Sequence, residues 1–155
     1  MNRNEYMKEI QRTWTADEIT WREQICNATL GLVGEIREYI YAFEGNELGD
    51  CLYYAHTILR LLEHEHKLDG WPPKTMIARD RLQDVVAEIA EGLKKVAFHG
   101  REELTNSVAF SVGAMIRTLE VRADRYGGAE AVRAANIAKL RGRYPKGFVM
   151  GGGKR

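Results

Sequence analysis

Apolar residues recur every three or four positions along most of the chain, which is the spacing of one buried face of an α-helix. No segment alternates apolar and polar residues for long enough to predict a strand. We therefore predict an all-α fold with six helices. The apolar positions that define the first five are Tyr6, Ile10 and Trp14; Ile25, Leu32, Ile36, Tyr39 and Phe43; Leu48, Cys51, Leu52, Ala55, Ile58, Leu59 and Leu62; Leu82, Val86, Ile89, Leu93 and Val96; and Leu104, Val108, Val112, Met115 and Leu119.

Capping and turn residues give the expected ends of the first three helices. The first helix is expected over about residues 3–14. Thr15 with Glu18 fits a capping box at the start of the second helix. The pair Gly45-Asn46 would end that helix, and the third helix would begin near Glu47.

The run from Asp69 to Pro73 is the clearest break, because glycine and proline both interrupt helices. A fourth helix is expected from about Thr75 to Gly100, Gly127-Gly128 would close a fifth, and a last short helix would follow at about 129–141. The expected organisation is one domain over 1–150, made of a first unit at about 15–66, a hinge at 67–74, a second unit at about 75–126 and a C-terminal segment at 129–148, with a flexible tail at 149–155.

The two units resemble each other in sequence. Four landmarks occur in the same order in both units. Three are matched segments, 34–38 with 87–91, 42–45 with 97–100, and 47–50 with 103–106, and the fourth is the apolar helix that follows in each unit. We infer that a helix–turn–helix unit occurs twice and that the two copies form a pseudo-dimer. The alternative is that two amphipathic helix pairs look alike by chance.

Four acidic residues of the first unit have a spacing that suits metal binding. Glu35 and Glu38 are three positions apart, as are Glu47 and Asp50, so each pair lies on one side of its helix. A tight turn would bring both pairs to one end of the helical hairpin. Crowded carboxylates repel one another, and a hard cation such as Mg²⁺ or Mn²⁺ relieves the repulsion and commonly binds substrate phosphates as well. The alternative is that each pair belongs to an ordinary solvated helix face.

Small and aromatic residues around these acids suggest space for a ligand. Gly31, Gly34 and Ala42 surround the first acidic pair and would leave room for a ligand to approach. Three aromatic residues could stack on a base, although aromatic residues at helical spacing more often belong to the core. They are Trp14, Trp21 and Tyr54.

Composition narrows the classes of partner. The 155 residues are 45% hydrophobic, enough for one core, and 23 basic against 22 acidic residues give a net charge of +1, which does not favour nucleic-acid binding. No apolar run could span a membrane and the first residues do not resemble a signal peptide, so we expect a cytoplasmic protein. Cys26 and Cys51 have no metal-ligand spacing, and we interpret each as a small apolar residue of a helix.

Several of these motifs together resemble the MazG-like all-α nucleoside triphosphate pyrophosphohydrolases of phage and bacterial type. The segment Leu30–Glu38 followed by Glu47–Asp50 looks like their two ExxE/ExxD pairs on consecutive helices. Asn4-Glu5-Tyr6 with Arg12-Thr13 is similar to their opening helix. The segment 135–145, ANIAKLRGRYP, looks like their closing NxxKLxxRYP motif.

The resemblance implies Mg²⁺-dependent hydrolysis of a nucleoside or deoxynucleoside triphosphate to the monophosphate and pyrophosphate. By position in the motifs, Glu35, Glu38, Glu47 and Asp50 would hold the metal. Either one of the two glutamates of the first pair or a metal-bound water would activate the nucleophile. The residues that would contact the substrate are Asn136, Lys139, Arg143 and Tyr144. For the basic residues among them, the alternative is a helix end that carries positive charge because of the helix dipole.

The chain also departs from the family pattern. Arg37 stands where most relatives have glycine, and the lysine-rich KKxxFHG run lies in the second unit, at 94–100. Asn106 replaces the acid that would complete a second site, and an amide is a weaker Mg²⁺ ligand than a carboxylate. We therefore predict one complete metal site, with Lys94 and Lys95 (and His99) as candidate substrate-binding groups of the second unit or, alternatively, as a solvated basic turn.

Two other classes of function remain open at this stage. One is a catalytically inactive helical module that binds nucleotides or mediates assembly. The other, a DNA-binding helix–turn–helix protein, is disfavoured because the chain has no basic recognition stripe. The sequence predicts no nucleic-acid or membrane partner, and it allows a homodimer without fixing the oligomeric state.

Overall fold

The computed structural model describes residues 1–14, 19–42, 44–62 and 74–147, and these ranges form helices joined by short connections. The six α-helices are α1 (Arg3–Thr13), α2 (Trp21–Ala42), α3 (Gly45–Leu61), α4 (Leu82–Phe98), α5 (Thr105–Arg122) and α6 (Ala129–Arg143). Apart from one isolated bridge between Pro145 and Gly147, the described ranges contain no β-structure. The prediction of an all-α fold is confirmed.

Helices α2 to α5 form a closed arrangement of four. Helix α2 packs against α3 and α4, and α5 packs against the same two helices. Helix α6 packs on the outer side of α3 and also contacts α1. Helix α3 therefore touches four other helices, which explains why most of its residues are buried.

The apolar faces predicted from the sequence form the core. Nearly all of the positions assigned to the five faces are buried, while Val96 and Leu104 are only partly covered. Phe43 lies outside the described residues. Burying one such large side chain contributes roughly 1.5–3 kcal/mol, so these faces supply the main stabilisation of the helical arrangement.

The connection between α2 and α3 lies earlier in the chain than the sequence predicted. Helix α2 ends at Ala42, and Gly45 and Asn46 already belong to the first turn of α3, so the prediction that this pair ends α2 is wrong. The reason is tertiary packing: a Cβ atom on Gly45 would lie 3.1 Å from ring atoms of Tyr126. Gly45 therefore does not form the turn; it allows Tyr126, in the segment after α5, to pack closely against the start of α3.

Helix α4 begins at Leu82, about seven residues later than the predicted start near Thr75. The preceding segment is held by α5, because the Ile77 amide donates to Thr118 Oγ1 at 2.9 Å and Arg122 donates to the Ile77 carbonyl. These long-range bonds compete with local helix formation. Other helix ends match the pattern: α1 and α6 begin close to the predicted positions, and Gly127 with positive φ follows the turn after α5.

Some sequence predictions fall outside the described residues. They are the capping box at 15–18, most of the predicted hinge, including 69–73, and the tail at 149–155. Both cysteines are free thiols and lie in helices as interpreted; Cys51 is buried, whereas Cys26 is exposed on α2. Among the described helices, none is both long enough and apolar enough to cross a membrane.

Candidate functional site

The hairpin of α2 and α3 brings the four acidic residues into one electrostatic group. The charges of Asp50, Glu38 and Glu47 all act on the carboxyl group of Glu35. Glu38 is exposed and the other three are partly buried. The two acidic pairs therefore lie at the same end of the hairpin, as their spacing predicted.

The crowding of these acids has a clear effect on the pKa of Glu35. Burial, followed by the negative charges of Asp50 and Glu38, raises the pKa of Glu35 to about 7, although Lys139 acts in the opposite direction. At neutral pH this carboxyl group is therefore close to equal populations of the neutral and charged forms. A cation placed among the acids would favour the charged form.

Asp50 is bound by two side chains of α6. The amide Nδ2 of Asn136 donates to Asp50 Oδ1 at 2.7 Å, and the ammonium group of Lys139 donates to Asp50 Oδ2. The approach of α6 requires Gly49, since a Cβ atom there would lie 3.0 Å from the Cβ of Asn136. The C-terminal motif thus meets the acidic group on α3.

Asn136 is itself held from the opposite side by α1. The hydroxyl of Tyr6, which is completely buried, donates to Asn136 Oδ1 at 3.1 Å and lies 3.4 Å from the Gly49 carbonyl oxygen. The Tyr6 ring packs edge-on against His56, with 5.5 Å between ring centroids. A continuous polar connection therefore runs from the core through Tyr6 and Asn136 to Asp50.

A cavity of about 200 Å³ opens beside Glu35 and Asp50. Its wall combines aromatic rings, hydroxyl groups, one amide and one guanidinium group. The remaining lining residues are Thr13, Trp14, Asn27, Tyr53, Tyr54, Leu140, Arg143 and Tyr144. Such a wall suits a ligand that has a flat apolar part and a charged part.

Of the three aromatic residues predicted to stack on a base, the structure brings two to this cavity. Trp14 and Tyr54 line it with nearly perpendicular rings, 6.5 Å apart. Trp21 instead lines a different cavity, and its Nε1 donates to the Leu61 carbonyl at 2.8 Å. The space expected at Gly31 is occupied by Tyr54, because a Cβ on that glycine would overlap the tyrosine ring, whereas Gly34 faces open space.

The donor set of the acidic group suits a hard divalent cation in chemistry and in charge. All four side chains offer carboxylate oxygens, and Glu47 Oε2 is buried without a hydrogen-bond partner among the described residues. As the side chains stand, no three acidic, histidine or cysteine groups within the described ranges lie close enough together to hold one ion. Binding would therefore require the side chains to move closer together, and an ion would compete with the partners that the Asp50 oxygens already have.

The corresponding acids of the second unit do not form such a group. Glu91 pairs with Lys94 at 3.0 Å, Glu103 pairs with Arg101, and Glu88 lies 3.9 Å from Arg81. Glu91 and Glu103 are exposed, and hydrogen bonds to those cations lower the pKa values of their carboxyl groups.

Lys94 and Lys95 do not line the cavity next to Glu35, so the structure gives no support to their role as substrate-binding groups. Both lie near the end of α4 and face Glu91. That end of α4 packs near the start of α2, where Arg22 donates to the Ala97 carbonyl at 2.7 Å. Glu35 lies 13 residues further along α2, which corresponds to about 20 Å of helix.

The cavity also contains residues that the sequence analysis did not single out. Asn27 precedes Glu35 by eight positions and lies on the same side of α2, and Tyr53 follows Asp50 by three positions on α3. Helical spacing from the acids would have found both residues. Thr13 belongs to the opening-helix motif, but spacing from the acids does not indicate it, because it reaches the cavity through the packing of α1, where its hydroxyl lies 3.1 Å from that of Tyr53.

Comparison of the chain with protein-family models, with curated proteins and with solved structures finds no match.

Proposed function

We propose that this chain is a MazG-like nucleoside triphosphate pyrophosphohydrolase, which hydrolyses a nucleoside or deoxynucleoside triphosphate to the monophosphate and pyrophosphate with Mg²⁺. The observation that carries the proposal is the contact of Asn136 and Lys139 with Asp50. These contacts join residues that are 86 and 89 positions apart in the chain, and they bring the C-terminal motif to the acidic residues beside one cavity. If either motif resembled the family only by chance, there would be no reason for the two motifs to lie in contact.

The acidic group would bind the metal ion. Glu35, Glu38, Glu47 and Asp50 supply oxygen ligands, and bound Mg²⁺ (or Mn²⁺) would neutralise phosphate charge and lower the pKa of a coordinated water. Glu35 or Glu38 would accept the proton of the attacking water. The position of Glu35 in the wall of the cavity, next to Asp50, suits this role.

The C-terminal motif would bind the phosphate chain. Arg143 lines the cavity, Lys139 contacts Asp50 in its wall, and Asn136 supplies an amide donor next to Asp50. Tyr144 also lines this cavity and would assist. A lysine, an arginine and an amide together match the charge and the hydrogen-bonding capacity of phosphate oxygens.

The aromatic part of the cavity would hold the base. Trp14 and Tyr54, with Tyr53 next to them, present ring surfaces on which a flat heterocycle can stack. Asn27 and Thr13 supply polar groups in the same wall. These residues are the first candidates for base selectivity.

We further propose that the four-helix arrangement is a MazG-like pseudo-dimer with one working site. The adjacency of α2 with α4 and of α3 with α5 supports a duplicated hairpin. The acids of the second hairpin are each paired with a neighbouring cation, which supports a single metal site in the first. A cytoplasmic location and a homodimer of the whole chain stay predictions.

The direct test is a panel of nucleoside and deoxynucleoside triphosphates incubated with the purified protein and Mg²⁺. We expect monophosphate and pyrophosphate as products, identified by ³¹P NMR. Glu38→Gln and Asp50→Asn should lower turnover at least a hundredfold, because both remove a charged ligand while the fold is retained. The matched controls in the second unit, Glu91→Gln and Asn106→Ala, should leave turnover within twofold.

Three results would contradict the proposal. Unchanged turnover in folded Asp50→Asn would place the chemistry elsewhere. A loss in Asn106→Ala equal to that in Asp50→Asn would refute the single-site arrangement. Nucleotide binding without turnover of any substrate would favour the alternative, a catalytically inactive helical nucleotide-binding module.

A further inference from the structure

The two partners of Asp50 differ in how firmly each is held. Asn136 is buried, and both ends of its amide are bound, one to Asp50 and the other to Tyr6. Lys139 reaches Asp50 from the next turn of α6 through a long stem, and a quarter of its side chain is exposed. The ammonium group can therefore leave Asp50 without disturbing the core, whereas the amide cannot.

The ammonium group of Lys139 lies where a cation bound to the acidic residues would lie, in contact with Asp50. It contacts Asp50 Oδ2, and its charge acts on the carboxyl group of Glu35 in the same direction as a metal ion would. A divalent ion that coordinates Asp50 Oδ2 would repel the ammonium group and compete with it for this oxygen, which favours its departure. Lys139 contacts Asp50 in a structure in which no three acidic, histidine or cysteine side chains of the described residues lie close enough together to hold one ion.

We propose that Lys139 is an exchangeable cation: it holds Asp50 in the absence of a metal ion, yields Asp50 Oδ2 to an arriving divalent cation, and then donates to a phosphate group of the substrate. The metal ion and the phosphate on which this rests belong to the proposed function. The exchange adds an order of events, in which metal binding releases the group that binds the phosphate. Metal and triphosphate would then bind cooperatively.

Exchange predicts opposite effects of one substitution on the two ligands. In Lys139→Met the competitor is absent, so the nucleotide-free protein should bind Mn²⁺ more tightly, by about tenfold if the displaced ion pair is worth ~1.4 kcal/mol. The same variant should bind a non-hydrolysable triphosphate analogue at least tenfold more weakly in the presence of Mn²⁺, because one charge-assisted contact is lost. A lysine that served only the phosphate and did not hold Asp50 would change Mn²⁺ affinity no more than the loss of another positive charge of α6 does.

The test measures Mn²⁺ affinity by electron paramagnetic resonance, with nucleotide-free protein and no turnover. Arg141→Gln is the matched control, because it removes one positive charge from the same helix, two residues away, where Arg141 pairs with Glu9. We expect its Mn²⁺ affinity to stay within twofold of the parent protein. Lys139→Gln serves as a second variant in case Lys139→Met does not fold, which circular dichroism would show.

Each outcome decides for or against the exchange. Unchanged or weaker Mn²⁺ binding in both Lys139 variants overturns it, and so does equal tightening in Arg141→Gln, which would show a long-range charge effect. The absence of Mn²⁺ binding in every protein also overturns it and removes the metal from the proposed function. Tighter Mn²⁺ binding in the Lys139 variants without any triphosphate hydrolysis supports the exchange and rejects the proposed enzyme.

Discussion

At the scale of single residues, the carboxyl group of Glu35 combines two unfavourable conditions, partial burial and three acidic neighbours. Its pKa of about 7 in the folded protein lies above the ordinary value of 4.5. For an acid, a raised pKa in the folded state lowers stability as pH rises from the ordinary value to the raised one, and the full cost persists above it. The metal-free protein therefore has a destabilising residue at its candidate site.

We predict that Glu35→Gln stabilises the metal-free protein at pH 8 by about 1–2 kcal/mol, a value reduced from the full shift because the group is partly solvated. At pH 4 the same substitution should have little effect, since the carboxyl group is protonated in both states. Urea unfolding in the presence of EDTA measures the difference. Glu88→Gln, an exposed acid of the second unit, is the control and should change stability by less than 0.5 kcal/mol. Destabilisation of Glu35→Gln at pH 8 would contradict the assignment.

At the scale of helices, the sequence predicted which faces are buried but not every helix end. The predicted apolar positions of α3 are buried. They recur every three or four residues and therefore share one face of the helix, and this spacing is a property of the local sequence. The start of α4 depends on the bond from Ile77 to Thr118, and the start of α3 depends on the packing of Tyr126 against Gly45. Neither contact can be inferred from residues that are adjacent in sequence.

The contact between Gly31 and Tyr54 allows a matched test of helix packing. A Cβ atom at Gly31 would overlap the Tyr54 ring, whereas one at Gly34 meets no atom within 4 Å. We predict that Gly34→Ala stabilises the protein by up to ~1 kcal/mol through helix propensity, and that Gly31→Ala destabilises it by ~1–3 kcal/mol because α2 and α3 must separate or the ring must move. Denaturant midpoints of both variants provide the measurement. Equal stability of the two variants would show that the ring moves at no cost.

At the scale of the whole molecule, the candidate site depends on contacts between the two ends of the described chain. Arg3 on α1 and Arg133 on α6 both donate to Glu120 on α5, at 3.0 and 2.7 Å. These bonds fix α1 and α6 so that Tyr6 and Asn136 meet. The sequence identified the acids and the C-terminal motif as one site only through a family resemblance, because their contact depends on this long-range packing.

His56 lies next to this ionic group and is completely buried, with no hydrogen-bond partner for either ring nitrogen among the described residues. Burial lowers its pKa from 6.5 to about 3; the nearby Glu120 acts in the opposite direction, and Arg3 and Arg133 add to the lowering. For a base, a lowered pKa in the folded state means that stability is lost as pH falls below the ordinary value of 6.5. The loss continues until pH reaches about 3.

We predict that the free energy of unfolding of the parent protein falls by about 2 kcal/mol more than that of His56→Leu between pH 7 and pH 5. Comparing the two pH values within each protein removes the constant packing cost of the substitution. Chemical denaturation at both pH values provides the measurement. Parallel pH dependence of the two proteins would show that His56 is protonated equally in the folded and unfolded states.

The hydrogen bond from Tyr6 to Asn136 Oδ1 makes this position sensitive to a change that leaves side-chain shape almost unaltered. Aspartate has nearly the same outline as asparagine and would still accept from the tyrosine hydroxyl. Its second oxygen would then oppose Asp50 Oδ1 where the amide now donates. The substitution Asn136→Asp would therefore add a repelling charge at the site with almost no change in the volume of the side chain.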